Sequence, residues 1–223
     1  MEKFNKLNPI LHRHEEFIQD RSDGGFISND IMMKWFNDKY STSKHLLILY
    51  SIAIGLNAKN ILEIGGGRST CVLSRAAKEN NGKMTHGDIC NINYLLSEQE
   101  KKVTKFFLGK SDLIWEIDEG YDFAFLDYFS EKDKKVFYIE NEINKCIKKM
   151  KKNGVIAIHD VFVKKYSNIK MAIHKVAKKR KDVEYITIPF NYGLGLIRCL
   201  ENSKYGSCDC NSYSCKKQKI KYI

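Results

Sequence analysis

The sequence predicts a doubly wound α/β domain with a mainly parallel, Rossmann-like sheet, an antiparallel final strand and an N-terminal helical cap. Three observations predict it. From residue 60 onward, short apolar runs of strand length alternate with amphipathic runs of helix length. At the first of these junctions, Gly65-Gly66-Gly67 joins a strand to a helix. The last two β-rich runs lie too close together for a crossover helix, so they must pair as a hairpin.

Residues 1–20 and 28–56 read as helices separated by Gly24-Gly25, the second ending in an amphipathic helix from about Thr42 to Leu56. Strand 60–64, helix 69–80 and strand 83–87 follow. A helical stretch 94–102 then leads to strands 104–108 and 122–127, helix 133–150, strand 154–159 and helix 166–180. Glu184–Pro189 and Gly195–Leu200 form the closing hairpin around residues 190–194. This order implies a cap over residues 1–45, with Gly24 to His45 helping to cover a cleft, a main domain over 46–200 and a basic, cysteine-containing tail over 201–223. There is no internal repeat.

With 223 residues, 43% of them hydrophobic and 12% aromatic, the chain is long enough to bury one sizeable core. Met1 to Leu7 lacks the apolar run of a signal peptide, and Leu46 to Leu56 falls short of the roughly 20 residues a spanning helix needs. A cytoplasmic protein that does not cross a membrane is expected. Of the seven cysteines, Cys71, Cys90 and Cys146 are assigned to predicted elements and read as reduced structural thiols. Cys199, Cys208, Cys210 and Cys215 cluster near the end. Their spacing lacks paired C-x2-C signatures, so free thiols are expected there in preference to a zinc knot.

A strand that runs into glycines and then into the hydroxyl residues of a helix leaves backbone amides facing a ligand. The sixth position of the glycine pattern is Thr70, which argues against a dinucleotide fingerprint. Asp88 ends the second strand, 21 residues after Gly67, where a carboxylate can accept hydrogen bonds from a ligand. Asp127 ends the fourth strand, and His159 and Asp160 end the fifth. Parallel neighbours of this kind place these side chains at one edge of the same crevice.

The pattern Glu63-x-Gly65-x-Gly67-x-Ser69 resembles the first motif of class I S-adenosylmethionine-dependent methyltransferases, and the resemblance extends over roughly residues 45–200. It implies S-adenosyl-L-methionine as the cofactor. Glu63, Gly65, Gly66, Gly67 and Ser69 would hold its methionine part, Asp88 the ribose, and Ser111, within Leu108 to Asp112, the adenine edge. The strand ends resemble those of catechol-type and related small-molecule O-methyltransferases, in which acids hold a divalent metal. This resemblance implies Asp127 and Asp160 as ligands for Mg2+, which would lower the pKa of an acceptor hydroxyl. Two positions depart from that pattern: His159-Asp160 replaces Asp-Asn, and Ser130 replaces a general-base lysine. A metal-free alternative therefore stands beside it, with His159, whose ordinary pKa is about 6.5, as base and Asp127 or Asp160 orienting it. Tyr128, Phe129, Phe162, Phe190 and Tyr192 are placed to line an acceptor pocket. The expected reaction is methyl transfer to a hydroxyl of a small molecule.

The net charge is +11, and Lys145 to Lys181 alone holds 13 basic residues against one acid. The alternation puts Lys148, Lys149, Lys151, Lys152 and the run Lys178 to Lys181 at the pole away from the crevice, leaving Lys164 and Lys165 near it. Such placement does not guide a nucleic acid into the site, although it is compatible with a distant polyanion. An RNA methyltransferase or RNA-binding protein is the second reading, and a nicotinamide-dependent oxidoreductase the third. Oligomeric state is open, with a homodimer as one option.

Overall fold

The computed structural model describes residues 42–129, 135–189 and 191–200. Its strands are β1 (Asn60–Ile64), β2 (Lys83–Asp88), β3 (Thr104–Leu108), β4 (Tyr121–Leu126), β5 (Met150–His159), β6 (Val183–Ile188) and β7 (Leu194–Cys199). Its helices are α1 (Leu46–Gly55), α2 (Arg68–Glu79), α3 (Glu98–Val103), α4 (Asp112–Trp115), α5 (Val136–Lys149) and α6 (Ser167–Lys179). Short 3-10 turns occupy Thr42–His45, Asn93–Leu95 and Lys164–Tyr166.

The strands form one sheet in the order β3-β2-β1-β4-β5-β7-β6. Strands β3, β2, β1, β4 and β5 pair parallel, and β7 runs antiparallel between β5 and β6. The expected hairpin is therefore present, and β7 is the antiparallel strand it inserts. The order reverses between β1 and β4, so the connections that leave their carboxyl ends pass to opposite faces of the sheet and leave a crevice between them.

Alternation along the strands separates two cores. Ile61 of β1 and Phe123 and Phe125 of β4 pack with α1 and α2, whereas Leu62, Ile64, Ala124 and Leu126 pack against α5 and α6. Strands buried on both faces read as near-continuous apolar runs, and that is how β1 and β4 read in the sequence. Glu63 interrupts the run on the α1/α2 face and is fully buried.

Several local expectations change. The helix expected over Thr42–Leu56 begins at Leu46, after the 3-10 turn. It is not amphipathic: Leu46, Leu49 and Ala53 are buried and Leu47, Ile48, Ile52 and Ile54 are half-buried, so apolar residues occupy more than one face. The helical stretch 94–102 divides into the Asn93–Leu95 turn and α3, because Ser97 caps α3 through a reciprocal bond with Glu100. Strand β5 begins at Met150, which is buried and pairs with Tyr121 across a bulge. Helix α4 was not foreseen from the sequence, being only four residues long.

Two cysteine expectations also need correction. Cys199 is not part of a terminal cluster: it is the last residue of β7, buried, with its thiol pushed up to about 12 by burial. Cys90 lies on an exposed bend after β2 and is not a buried structural thiol. Cys71 and Cys146 are buried as expected. Cys208, Cys210, Cys215, Ser130, Phe190 and residues 1–41 of the cap lie outside the described residues.

Phe125 sits wholly inside the α1/α2 core at the sheet's centre. Phe125→Ala is expected to cost about 3–5 kcal/mol in urea unfolding, from lost burial and the cavity left behind.

Candidate functional site

The carboxyl ends of β1, β2, β3 and β4 enclose a cleft of about 510 Å³. Its walls include Gly65, Gly66, Asp88, Gly109, Ser111, Asp127 and Tyr128. Most of the residues singled out in the sequence for a nucleotide-type ligand therefore meet here.

The glycine loop is held from beneath. The Gly67 amide donates to Thr70 Oγ1 at 3.0 Å, and the Thr70 hydroxyl donates to Glu63 Oε2 at 2.6 Å. His86 Nδ1, from β2, lies 2.9 Å from the same Glu63 oxygen. The missing third glycine thus has a function: a hydroxyl at position 70 connects the loop to the buried acid. Glu63, Gly67 and Ser69 do not border the cleft, and the Glu63 carboxyl faces Thr70 and His86 instead of a ligand.

Glycine is required twice in this loop. Gly65 has φ of 79°, and a Cβ there would stand 2.4 Å from the Asp127 carbonyl oxygen. A Cβ on Gly66 would stand 2.2 Å from His86 Cε1. The loop can therefore lie flat on the strand ends only without side chains, which leaves its backbone open to the cleft.

Asp88 spans the floor. Its Oδ2 accepts from the Gly66 amide at 2.7 Å and its Oδ1 from the Cys90 amide at 2.7 Å. Each carboxylate oxygen keeps accepting capacity for a ligand hydroxyl.

At the far edge, His159 Nδ1 lies 2.9 Å from Asp127 Oδ1 and 3.3 Å from Asp160 Oδ1. The imidazole is 2% exposed, against 26% for Asp127 and 21% for Asp160. The carboxylates are consequently the groups that reach outward, and His159 stands behind them. The 3-10 turn covers this corner. Thr42 Oγ1 donates to Asp127 Oδ2 at 3.4 Å, Arg68 donates to Ser43 Oγ at 2.6 Å, and the His45 ring meets His159 edge-on at 5.1 Å. Asp160 adopts φ of 62°, and its carboxyl is raised above the usual aspartate value first by burial and then by the Asp127 charge, against the lowering influence of His159.

Asp127, His159 and Asp160 each offer one ligand atom within 4.8 Å of the others. Two crowded carboxylates, one of them resisting ionisation, are a donor set that a cation would relieve. Two oxygens and one imidazole nitrogen suit manganese, iron or zinc better than magnesium, which prefers oxygen ligands alone.

Sequence reasoning missed Glu142. This α5 residue is 1% exposed, and its Oε2 accepts from Ser111 Oγ at 3.2 Å, Trp115 Nε1 at 2.9 Å and Tyr128 OH at 2.6 Å, while Lys145 donates to its Oε1 at 2.7 Å. Its only sequence signal was an acid on the apolar face of an amphipathic helix. The basic pole is also less naked than its composition suggests: Lys149 donates to the Ile117 carbonyl, and Lys151, Lys179 and Arg180 pair with Asp122, Glu140 and Asp182.

A scan against protein-family models and a search of curated proteins give no match. Solved structures do match. A Podospora anserina methyltransferase with bound S-adenosylhomocysteine has a TM-score of 0.57 at 16% identity, covering 87% of this chain and 89% of that one. The fold is that of the class I methyltransferases. An O-methyltransferase from Bacillus cereus, also with S-adenosylhomocysteine, gives 0.54 at 15% identity over 82% and 97% of the two chains. A Geobacter sulfurreducens methyltransferase gives 0.53 at 15% identity over 90% and 94%. Among the described residues, no helix of this class I fold is long and apolar enough to cross a membrane.

The raised Asp160 carboxyl carries a stability signature. A group whose folded pKa lies above its unfolded value contributes fully below the unfolded value, near 3.8, and loses that contribution as pH rises through the folded one. Asp160→Asn keeps the shape and tolerates positive φ. It is therefore expected to unfold at higher urea than wild type at pH 7, with the gap closing as pH falls toward 4.

Proposed function

We propose that the protein transfers a methyl group from S-adenosyl-L-methionine to a hydroxyl of a small-molecule acceptor. The observation that carries the reading is the Asp88 carboxylate, braced by the Gly66 amide at the carboxyl edge of β2, in a cleft that ends at Asp127. Support for the donor comes from the fold and from bound S-adenosylhomocysteine in two structures that resemble this one. Support for a hydroxyl acceptor comes from the Asp127, His159 and Asp160 group, and from the O-methyltransferase among those structures.

In this reading the sulfonium methyl group passes to the acceptor oxygen, its bond to sulfur breaking with the electron pair left on sulfur, as the hydroxyl proton leaves to a base. Asp127 is the group placed to take that proton. His159 is a positioning residue whose Nδ1 holds the Asp127 carboxylate at 2.9 Å. The turn at Thr42–His45 shields this corner, which limits competition from water. In the metal-dependent alternative, Asp127, His159 and Asp160 would instead hold a divalent cation, which would supply Lewis-acid polarisation of the acceptor hydroxyl.

Calorimetric titration with S-adenosylhomocysteine tests the donor. Wild type is expected to bind, and Asp88→Ala to bind roughly tenfold to a hundredfold more weakly. Binding of NADH without S-adenosylhomocysteine overturns the reading. Methyl transfer to a panel of hydroxylated aromatic compounds, followed by mass spectrometry, tests the acceptor class. Asp127→Asn is expected to lower kcat by about a hundredfold or more with little change in cofactor affinity. Dialysis against a chelator separates the two forms of the mechanism: activity unaffected by metal removal or readdition rules out the ligand role.

A further inference from the structure

Glu142 sits outside every motif of the sequence, yet it collects four donors. Two of these, the Ser111 and Tyr128 hydroxyls, belong to residues that also line the cleft. Ser111 is the residue before α4, the position that the methyltransferase resemblance assigns to the adenine edge, and Tyr128 follows β4 and lines the same cleft. A carboxylate oxygen can only accept, so each hydroxyl has spent its single proton on Glu142. Both then have only lone pairs to offer a ligand. Burial first, and the Glu142 charge second, raise the Tyr128 phenol far above its ordinary value and keep it a donor toward the acid. Lys145, raised mainly by its bond to Glu142, holds the other carboxylate oxygen in place.

We infer that Glu142 determines purine specificity by committing the Ser111 and Tyr128 hydroxyls as acceptors, so that the cleft selects a purine with an exocyclic amino donor at carbon 6 over one with a carbonyl there. The inference rests on the reading that this cleft binds S-adenosylmethionine. Its logic is that of polarity. An amino group gives hydrogens to the two oxygens, whereas a 6-oxo group would face them lone pair to lone pair, with no donor free to turn. Glu142 acts through these two hydroxyls and touches no ligand itself.

The test compares S-adenosylhomocysteine with its 6-oxo counterpart, S-inosylhomocysteine, by calorimetry on the full chain. Wild type is expected to favour the amino form by roughly tenfold or more. Glu142→Leu releases both protons and is expected to bring that ratio within about threefold of unity, because each hydroxyl can then donate to the carbonyl. A purely structural role would weaken both ligands alike and leave the ratio intact. The double variant Ser111→Ala with Tyr128→Phe retains Glu142 and removes the acceptors, and it is expected to lose the discrimination as well, whether or not Glu142→Leu folds. If wild type binds neither ligand, the cofactor reading falls and takes this inference with it. If wild type binds both equally, or the folded variants keep the wild-type ratio, this inference alone is overturned.

Discussion

The cleft depends on a buried acid. Glu63 lies inside the α1/α2 core, where an unpartnered carboxyl would be costly, and it is stabilised by Thr70 from α2 and His86 from β2. These contacts tie the start of the helix, the glycine loop and two adjacent strands into one unit. Because Thr70 also accepts from the Gly67 amide, the loop cannot lift without disturbing the core. The flat glycine floor, the Asp88 brace and the approach of Gly65 to the Asp127 carbonyl all follow from this anchorage.

A second buried acid organises the opposite wall. Glu142 gathers Ser111, Trp115 and Tyr128 from two separate segments, and Lys145 joins it from its own helix. Charge-assisted bonds of this kind set direction as well as position. Between these two acids the carboxylates of Asp88, Asp127 and Asp160 stand at the strand ends. Polar groups that shape the cleft are thus buried behind it, and those that would meet a ligand stand at the strand ends, the division of labour expected of a preorganised site.

Much of the fold was legible in order along the chain. The alternation of strand and helix lengths, the triple glycine and the short connection between β6 and β7 express local periodicity and loop length, which are properties of neighbouring residues. Boundaries failed where a local pattern carried two meanings. Lys151-Lys152-Asn153 falls between the helix expected over 133–150 and the strand expected over 154–159 but lies inside β5, since Met150 gains a buried partner in Tyr121 across the bulge. The stretch from Thr42 to Leu56 reads as amphipathic, although in α1 apolar side chains lie on more than one face. Cys199 looked like one of four tail cysteines and proved to be the buried end of a strand.

By itself the sequence determined the doubly wound plan and the meeting of Asp88, Asp127, His159 and Asp160 at one edge, because in a parallel sheet every strand end of the same polarity falls on the same side. Only the tertiary structure decided the direction each side chain takes once there. It turned Glu63 inward to Thr70 and His86, set His159 behind two carboxylates, and drew Glu142 from an unremarked helix position to hold Ser111 and Tyr128. The physical reason is that hydrogen-bond partners 14 to 32 residues apart, such as Tyr128 with Glu142 or Asp127 with His159, are chosen by packing between elements, which no local periodicity encodes.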